Sequence, residues 1–150
     1  ACFMWGAPAG PRRRGGPPDK PGVAPDEQAL QALDYFEPMY KIDDSGRVVR
    51  LRLTHRPLSG PAMKEINKLT EVMHIDFYST NVNDDDLAQL PELQNVKTIG
   101  LGETQVTDNG LAHLAKLKAL RFVWVSKKLV SQEAVDKLNE SRPDIRVFLQ

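Results

Sequence analysis

Apolar residues recur every 24 positions from residue 48 to the end of the chain, and this period constrains the fold most. One column of the period contains Leu51, Ile75, Ile99, Val123 and Val147, and a second contains Leu53, Phe77, Leu101, Val125 and Leu149. Further apolar columns begin at Val48, Leu58, Met63, Ile66 and Leu69 and continue without an insertion, until Ser141 interrupts the last of them. A period of this length is typical of proteins in which each unit packs only on its neighbours.

Each 24-residue unit predicts a short strand, a turn and a helix. An apolar-x-apolar pair such as Ile99 and Leu101 points two side chains to one face of a strand. The later pair at spacing three, Leu111 and Leu114, fits one face of a helical turn. The residues expected to cap these helices are Ser59, Asn83, Thr107 and Ser131. We therefore expect an α/β fold with parallel strands on one side and helices on the other.

Two further segments precede the repeats. Residues 1–25 contain eleven Pro or Gly residues. They also contain four basic residues and one acidic residue, so their net charge is +3 and the other 125 residues carry −3. Such a segment buries too little apolar surface to offset its ordering entropy, and we expect a disordered tail. Residues 26–47 predict a capping helix over 26–36, with Asp26 as its N-cap, followed by a strand at Tyr40 and Ile42. Residues 48–150 then hold about four repeats and a terminal strand.

The columns resemble the signature of leucine-rich repeats. The best matches are Leu93-x-x-Val96-x-x-Ile99-x-Leu101-x-x-Thr104 and Leu117-x-x-Leu120-x-x-Val123-x-Val125. Residues 102–111 are similar to a subtype abundant in predicted secreted and surface proteins of planctomycete bacteria, which is close to the cysteine-containing repeats of F-box proteins. The resemblance covers residues 42–150 and implies a right-handed, ribonuclease-inhibitor-like solenoid with strands on the concave face and helices on the convex face. It also implies that Thr80 and Thr104 hydrogen-bond the turn backbone.

No residue pattern in the sequence points to catalysis, a metal or a cofactor. The three histidines, His55, His74 and His113, fall at different places in the repeat, so no metal cluster is expected. Gly100-x-Gly102 lacks the third glycine of a phosphate-binding loop. The aspartates at 84–86 could suggest calcium, but acids in a first helical turn complement the helix dipole, and we favour that interpretation. We therefore expect a protein that is not an enzyme and has no cofactor.

The N-terminal tail bears on localisation. Its single cysteine, Cys2, cannot form an intrachain disulfide. A cysteine before a flexible linker resembles the start of a lipid-anchored bacterial lipoprotein, although we favour an incidental free thiol. The Arg12–Arg14 run lacks interleaved aromatic residues, so we expect a solvated linker and no nucleic-acid partner. No run of 18 apolar residues occurs, so we expect no membrane span, and a removed signal peptide would favour an extracytoplasmic location over the cytoplasm.

The even-numbered strand positions predict a binding surface, because odd positions that point into the core leave them on the concave face. The residues expected to contact a partner are Arg52, His74, Asp76, Tyr78, Phe122, Trp124 and Phe148. Arg52 and Asp76 are neighbours in one column and are expected to pair. Trp124, Phe148 and Phe122 form an aromatic end, and exposed aromatic residues are frequent at binding hot spots. The alternatives are that these rings cover the edge of the last repeat or mediate a dimer.

These observations favour a protein-interaction module whose partner is a protein of unknown identity. One alternative is an F-box-like substrate receptor of a ubiquitin ligase, which would need a helical F-box that residues 1–47 do not offer. A second is a purely architectural cell-surface domain. A third is an enzyme or a regulatory fragment of one, which would need a cluster of titratable residues.

Overall fold

The computed structural model describes residues 23–58, 60–90 and 93–150, which form an α/β fold with a six-stranded, mostly parallel sheet. The strands lie side by side in chain order: β1 (Met39–Ile42), β2 (Val48–Arg52), β3 (His74–Asp76), β4 (Thr98–Leu101), β5 (Phe122–Val125) and β6 (Arg146–Leu149). The helices are α1 (Val23–Ala32), α2 (Gly60–Asn67), α3 (Asp84–Ala88), α4 (Asp108–Leu114) and α5 (Gln132–Ser141). A 3-10 turn, Asp34–Phe36, follows α1. The expected cap Ser59, the cysteine and the arginine run lie outside the described residues.

The parallel strands pair in steps of 24 residues. One row of directly paired residues across β2 to β6 contains Leu51, Ile75, Ile99, Val123 and Val147. Only the first pair, β1 with β2, is antiparallel among the described strands, and its register shifts between Lys41 and Ile42. The apolar period of the sequence is therefore the period with which the sheet is built.

The apolar columns form one core that both the strands and the helices contribute to. Every apolar member of the seven columns is buried except Val147 and Leu149, which are half-buried in the edge strand β6. Along β3, β4 and β5, buried odd-numbered residues alternate with even-numbered residues that reach solvent. The same holds in β2 from Arg50 onward, whereas the even-numbered Val48 at its start is buried and Val49 is half-buried. This alternation confirms the predicted assignment of strand positions to core and surface.

The turns that follow β2, β3 and β4 share one backbone feature. His55, Ser79 and Glu103, spaced 24 residues apart, have left-handed φ angles of 59°, 57° and 52°. Just beyond two of these positions, the buried hydroxyls of Thr80 and Thr104 donate hydrogen bonds of 2.8 Å to the carbonyls of Phe77 and Leu101. The two threonines therefore bond the turn backbone, as the resemblance implied.

The N-terminal helix begins earlier than predicted. Because α1 starts at Val23, the last three residues of the expected tail are helical and Asp26 lies in the first turn instead of at the N-cap. The helix also ends at Ala32, ahead of the 3-10 turn. The buried Asp26 carboxylate accepts a hydrogen bond of 2.9 Å from the backbone N–H of Val48, a residue 22 positions away. Burial raises the pKa of Asp26, and the Val48 N–H opposes that rise.

Two aspartates connect helices of successive units. Asp84, the first residue of α3, accepts hydrogen bonds from the backbone N–H of Thr107 at 2.8 Å and from its hydroxyl. Asp108, the first residue of α4, accepts the equivalent bonds from the backbone N–H of Ser131 at 2.7 Å and its hydroxyl at 2.8 Å. Thr107 is the N-cap residue of α4, as predicted, but its side chain makes no capping bond to that helix, and its hydroxyl donates to Asp84.

The other described caps behave as predicted. The Asn83 side chain accepts a bond from the backbone N–H of Asp86, whose carboxylate accepts one from the Asn83 N–H, both at 3.0 Å. The hydroxyl of Ser131 accepts a bond of 3.2 Å from the N–H of Ala134. Two of the three carboxylates at 84–86 therefore bind backbone N–H groups, which supports their structural interpretation.

Arg142 makes polar contacts next to Ser141, the residue at which the leucine column is interrupted. Its half-buried guanidinium donates hydrogen bonds to the carbonyls of Ala115 at 2.8 Å and Leu117 at 3.1 Å. It also donates to the carboxylate of Asp144 at 2.8 Å, and this bond lowers the pKa of Asp144 to about 2. A polar side chain therefore connects the last unit to the loop of the unit before it.

We predict that Asp84→Ala lowers the free energy of unfolding by about 1–3 kcal/mol, because the half-buried Thr107 N–H and hydroxyl lose their acceptor. Asp85→Ala, the control, removes an exposed carboxylate from the same helical turn and should change stability by only about 0.5 kcal/mol. Urea unfolding monitored by circular dichroism measures both values. Equal losses in the two variants would show that only helix-dipole charge matters at this run.

Candidate binding face

The sheet face opposite the core carries the even-numbered strand residues, and we call it the open face. Its residues form two rows across the strands: Arg50, His74, Thr98, Phe122 and Arg146 in one, and Arg52, Asp76, Gly100, Trp124 and Phe148 in the other. None of these ten residues is buried. The open face is therefore a solvent-accessible surface whose residue order is set by the strand register.

Three aromatic rings stack on the open face at β5 and β6. The ring centroids of Trp124 and Phe148 are 5.3 Å apart, with an angle of 18° between the ring planes. Phe122 stacks on both rings, at 6.4 Å from each. Phe122 and Phe148 are each 41% exposed. The aromatic end predicted from the sequence thus exists as one stacked cluster with much of its surface in water.

The polar end of the open face is organised by one carboxylate. The Nε of Arg52 donates to Oδ2 of Asp76 at 3.2 Å, which confirms the predicted pair. Oδ1 of Asp76 accepts a bond of 3.0 Å from the backbone N–H of Tyr78. A partly exposed ion pair contributes only about 0–1 kcal/mol to stability, so its main effect is to orient Arg52 and the start of the turn.

A central groove of about 340 Å³ separates the polar end from the aromatic end. The residues that line it are Arg50, Leu51, Arg52, His74, Ile75, Asp76, Tyr78, Thr98, Gly100, Gly102, Trp124 and Gln150. Two glycines of the lining leave no room for a side chain of their own: a Cβ on Gly100 would lie 2.6 Å from Oδ1 of Asp76, and one on Gly102 would lie 2.7 Å from Oε1 of Gln150. The shallow centre predicted at these glycines is therefore part of the groove, and the side chains of Asp76 and Gln150 lean over it.

The end of the groove at β2 and β3 is positively charged. Arg50 is exposed and makes no ion pair with any residue of the described ranges. Burial lowers the pKa of His74, and the nearby charges of Arg50 and Lys97 lower it further. The lowered pKa of His74 favours its neutral imidazole, so the positive charge at this end comes chiefly from the arginines.

The structure brings most of the predicted partner-binding residues together. Those that line the central groove are Arg52, His74, Asp76, Tyr78 and Trp124, while Phe122 and Phe148 stack beside Trp124 outside it. The predicted set omitted Arg50, Thr98 and Gln150. The 24-residue period contained a signal for Gln150, which follows Tyr78 and Gly102 in the same column.

Across the described residues, no group of three or more His, Cys, Asp or Glu side chains is placed to hold a metal ion. None of the helices described for the chain is both long enough and apolar enough to cross a bilayer.

The sequence matches no protein-family model, and no curated protein matches it. The proposed function therefore rests on the geometry of the open face.

We predict that Arg50→Gln raises the pKa of His74 toward 6.5 without reaching it, because one positive neighbour is removed while burial of the imidazole remains. Arg146→Gln, at the far end of the same row, should leave the His74 titration unchanged. Titration of the histidine ring protons by NMR measures both midpoints. A His74 midpoint that stays the same or falls in Arg50→Gln would contradict the charge assignment.

Proposed function

We propose that the chain is a leucine-rich-repeat solenoid that binds a protein partner through the open face and catalyses no reaction. The strands would then line the concave side and the helices the convex side. Three features support this fold: the 24-residue step between parallel strands, the threonine bonds in the turns, and the bonds of Asp84 and Asp108 to the following unit. Each of them recurs at the period of the sequence.

The observation that carries the binding proposal is the exposed aromatic cluster beside the central groove. Water-exposed aromatic clusters are uncommon on a monomer without a binding role, and Trp and Tyr are enriched among residues that dominate binding energy. The cluster projects from even-numbered positions of β5 and β6, on the side opposite the buried Val123 and Val125. This placement argues against the alternative that the rings cover the edge of the core.

Trp124→Ala should weaken partner binding while the chain stays folded. The substitution removes ring stacking worth about 0.5–1.5 kcal/mol. Leu101→Ala, a deletion in the fully buried core, should cost about 2–5 kcal/mol. Thermal unfolding of both variants tests this part of the prediction, and equal losses of stability would contradict the placement of Trp124 on a binding surface.

Affinity capture from extracts of the source organism, quantified by mass spectrometry, tests the binding part. Proteins that the wild-type chain retains should fall by about tenfold or more with Trp124→Ala, as expected for a hot-spot residue. Tyr35→Ala is the control, because Tyr35 is an aromatic residue 84% exposed that lies in the 3-10 turn, away from the open face. The same proteins retained at the same level by Trp124→Ala would refute the proposal.

A further inference from the structure

We propose that the central groove binds an extended, acidic peptide segment of a protein partner, with a carboxylate on Arg50 and an aromatic or apolar side chain on Trp124. This inference rests on the proposed function, since it specifies what the open face recognises. It follows from four properties of the groove: its size, its charge, the indole of Trp124 in its lining, and the distance between its two ends.

The size of the open face suits a segment of chain better than a globular surface. Parallel strands lie about 4.8 Å apart and rise about 3.3 Å per residue, so β2 to β6 span roughly 19 Å by 13 Å. That area is a few hundred Å², whereas a standard interface between globular proteins buries about 800 Å² on each partner. A groove of about 340 Å³ within this face can accept individual side chains of a peptide.

The charges of the groove favour an anionic group at β2. Asp76 is the one acidic residue in the lining, and both of its carboxylate oxygens already accept hydrogen bonds, from Arg52 and from the Tyr78 N–H. The charge of Arg52 is balanced by this pair, which leaves Arg50 as the net positive charge. Lys97 adds to the positive potential at His74. An incoming carboxylate would find in Arg50 a planar donor suited to bidentate hydrogen bonding.

The other end of the groove favours a planar or apolar side chain. Trp124 lines the groove from β5, while Phe148, its stacking partner, lies on the far side in β6. Gly100 is the direct neighbour of Trp124 in β4, and having no side chain it leaves the indole accessible from the groove. An aromatic, proline or aliphatic side chain that enters the groove beside Trp124 would pack against the indole.

The distance between the two ends sets the spacing of the recognised residues. Arg50 lies on β2 and Trp124 on β5, so three strand spacings of about 4.8 Å, roughly 14 Å in all, separate their strands. An extended peptide that crosses the strands advances about 3.3–3.5 Å per residue. The acidic and the aromatic residue should therefore be about four positions apart.

A peptide fits the middle of the groove better than a nucleic-acid strand does. The Asp76 carboxylate lines the groove in β3, next to the strand of Arg50, where it would repel a phosphodiester backbone. Peptide N–H groups, in contrast, can donate to Asp76 or to the hydroxyl of Thr98, and peptide carbonyls can accept from the Gln150 amide, which also line the groove. An oligonucleotide is therefore the competing ligand that the experiment must include.

The test is selection from a display library of random octapeptides on the immobilised chain, followed by fluorescence polarisation with the selected peptides in synthetic, labelled form. We expect enriched peptides to carry Asp or Glu about four positions from Trp, Tyr, Phe or Pro. Arg50→Glu and Trp124→Ala should each weaken binding about tenfold or more. Arg146→Glu, in the same row but outside the groove, should change the Kd by less than about threefold.

A charge exchange makes the test specific. Arg50→Glu should recover affinity for a peptide in which Lys replaces the acidic residue, whereas wild-type protein should bind that peptide weakly. The inference would be overturned if no peptide is selected, or if the selected peptides lack an acidic residue. It would also be overturned if Arg50→Glu and Arg146→Glu weaken peptide binding equally. Displacement of the peptide by an eight-nucleotide oligothymidylate at similar concentration would also overturn it.

The two proposals fail in distinguishable ways. If the inference alone is wrong, Trp124→Ala still reduces the captured partner proteins, although acidic peptides do not bind or do not depend on Arg50. If the proposed function is wrong, capture is unchanged by Trp124→Ala and no selected peptide depends on Trp124. Circular dichroism of each variant must match the wild-type spectrum, so that a lost interaction reflects the surface and not unfolding.

Discussion

The pairing of parallel strands in steps of 24 residues is the constraint on which the rest of the structure depends. One strand and one helix cannot bury their own apolar residues, so Phe77 and Leu101 are fully shielded only because a unit packs on each side. A shift of one residue in this register would move the odd-numbered side chains from the core to solvent. The register therefore fixes the core and the composition of the open face together.

Polar groups that recur at the same period reinforce this register. The carboxylates of Asp84 and Asp108 bind the next unit, and Arg142 binds the carbonyls of the preceding loop where the leucine column has ended. These bonds lie on the helix side and in the loops, away from the open face. In the proposed function, the exposed aromatic rings and Arg50, which makes no ion pair within the described residues, are the groups that contact the partner.

Most of the fold could be predicted from the sequence, because residues 24 positions apart lie next to each other in neighbouring strands. The core columns, the Arg52–Asp76 pair and the aromatic cluster follow from adding or subtracting 24, whereas the threonine bonds were expected from the resemblance to leucine-rich repeats. Two contacts were not predicted: the Asp26 carboxylate binds the Val48 N–H instead of capping α1, and Thr107 binds Asp84 without a side-chain bond to its own helix. The groove could not be predicted from the sequence, because its shape depends on where the Tyr78 and Trp124 rings lie around two glycines.

The central claim, that the chain is built from interchangeable 24-residue units, is tested most directly by deleting one of them. Removal of residues 83–106 joins Val82 to Thr107 and keeps every apolar column in phase, whereas removal of residues 83–94 shifts the columns by half a period. Urea unfolding should show that the 24-residue deletion still folds cooperatively, with a smaller m-value because less surface is buried, while the 12-residue deletion does not. Loss of cooperative folding in both would contradict the account.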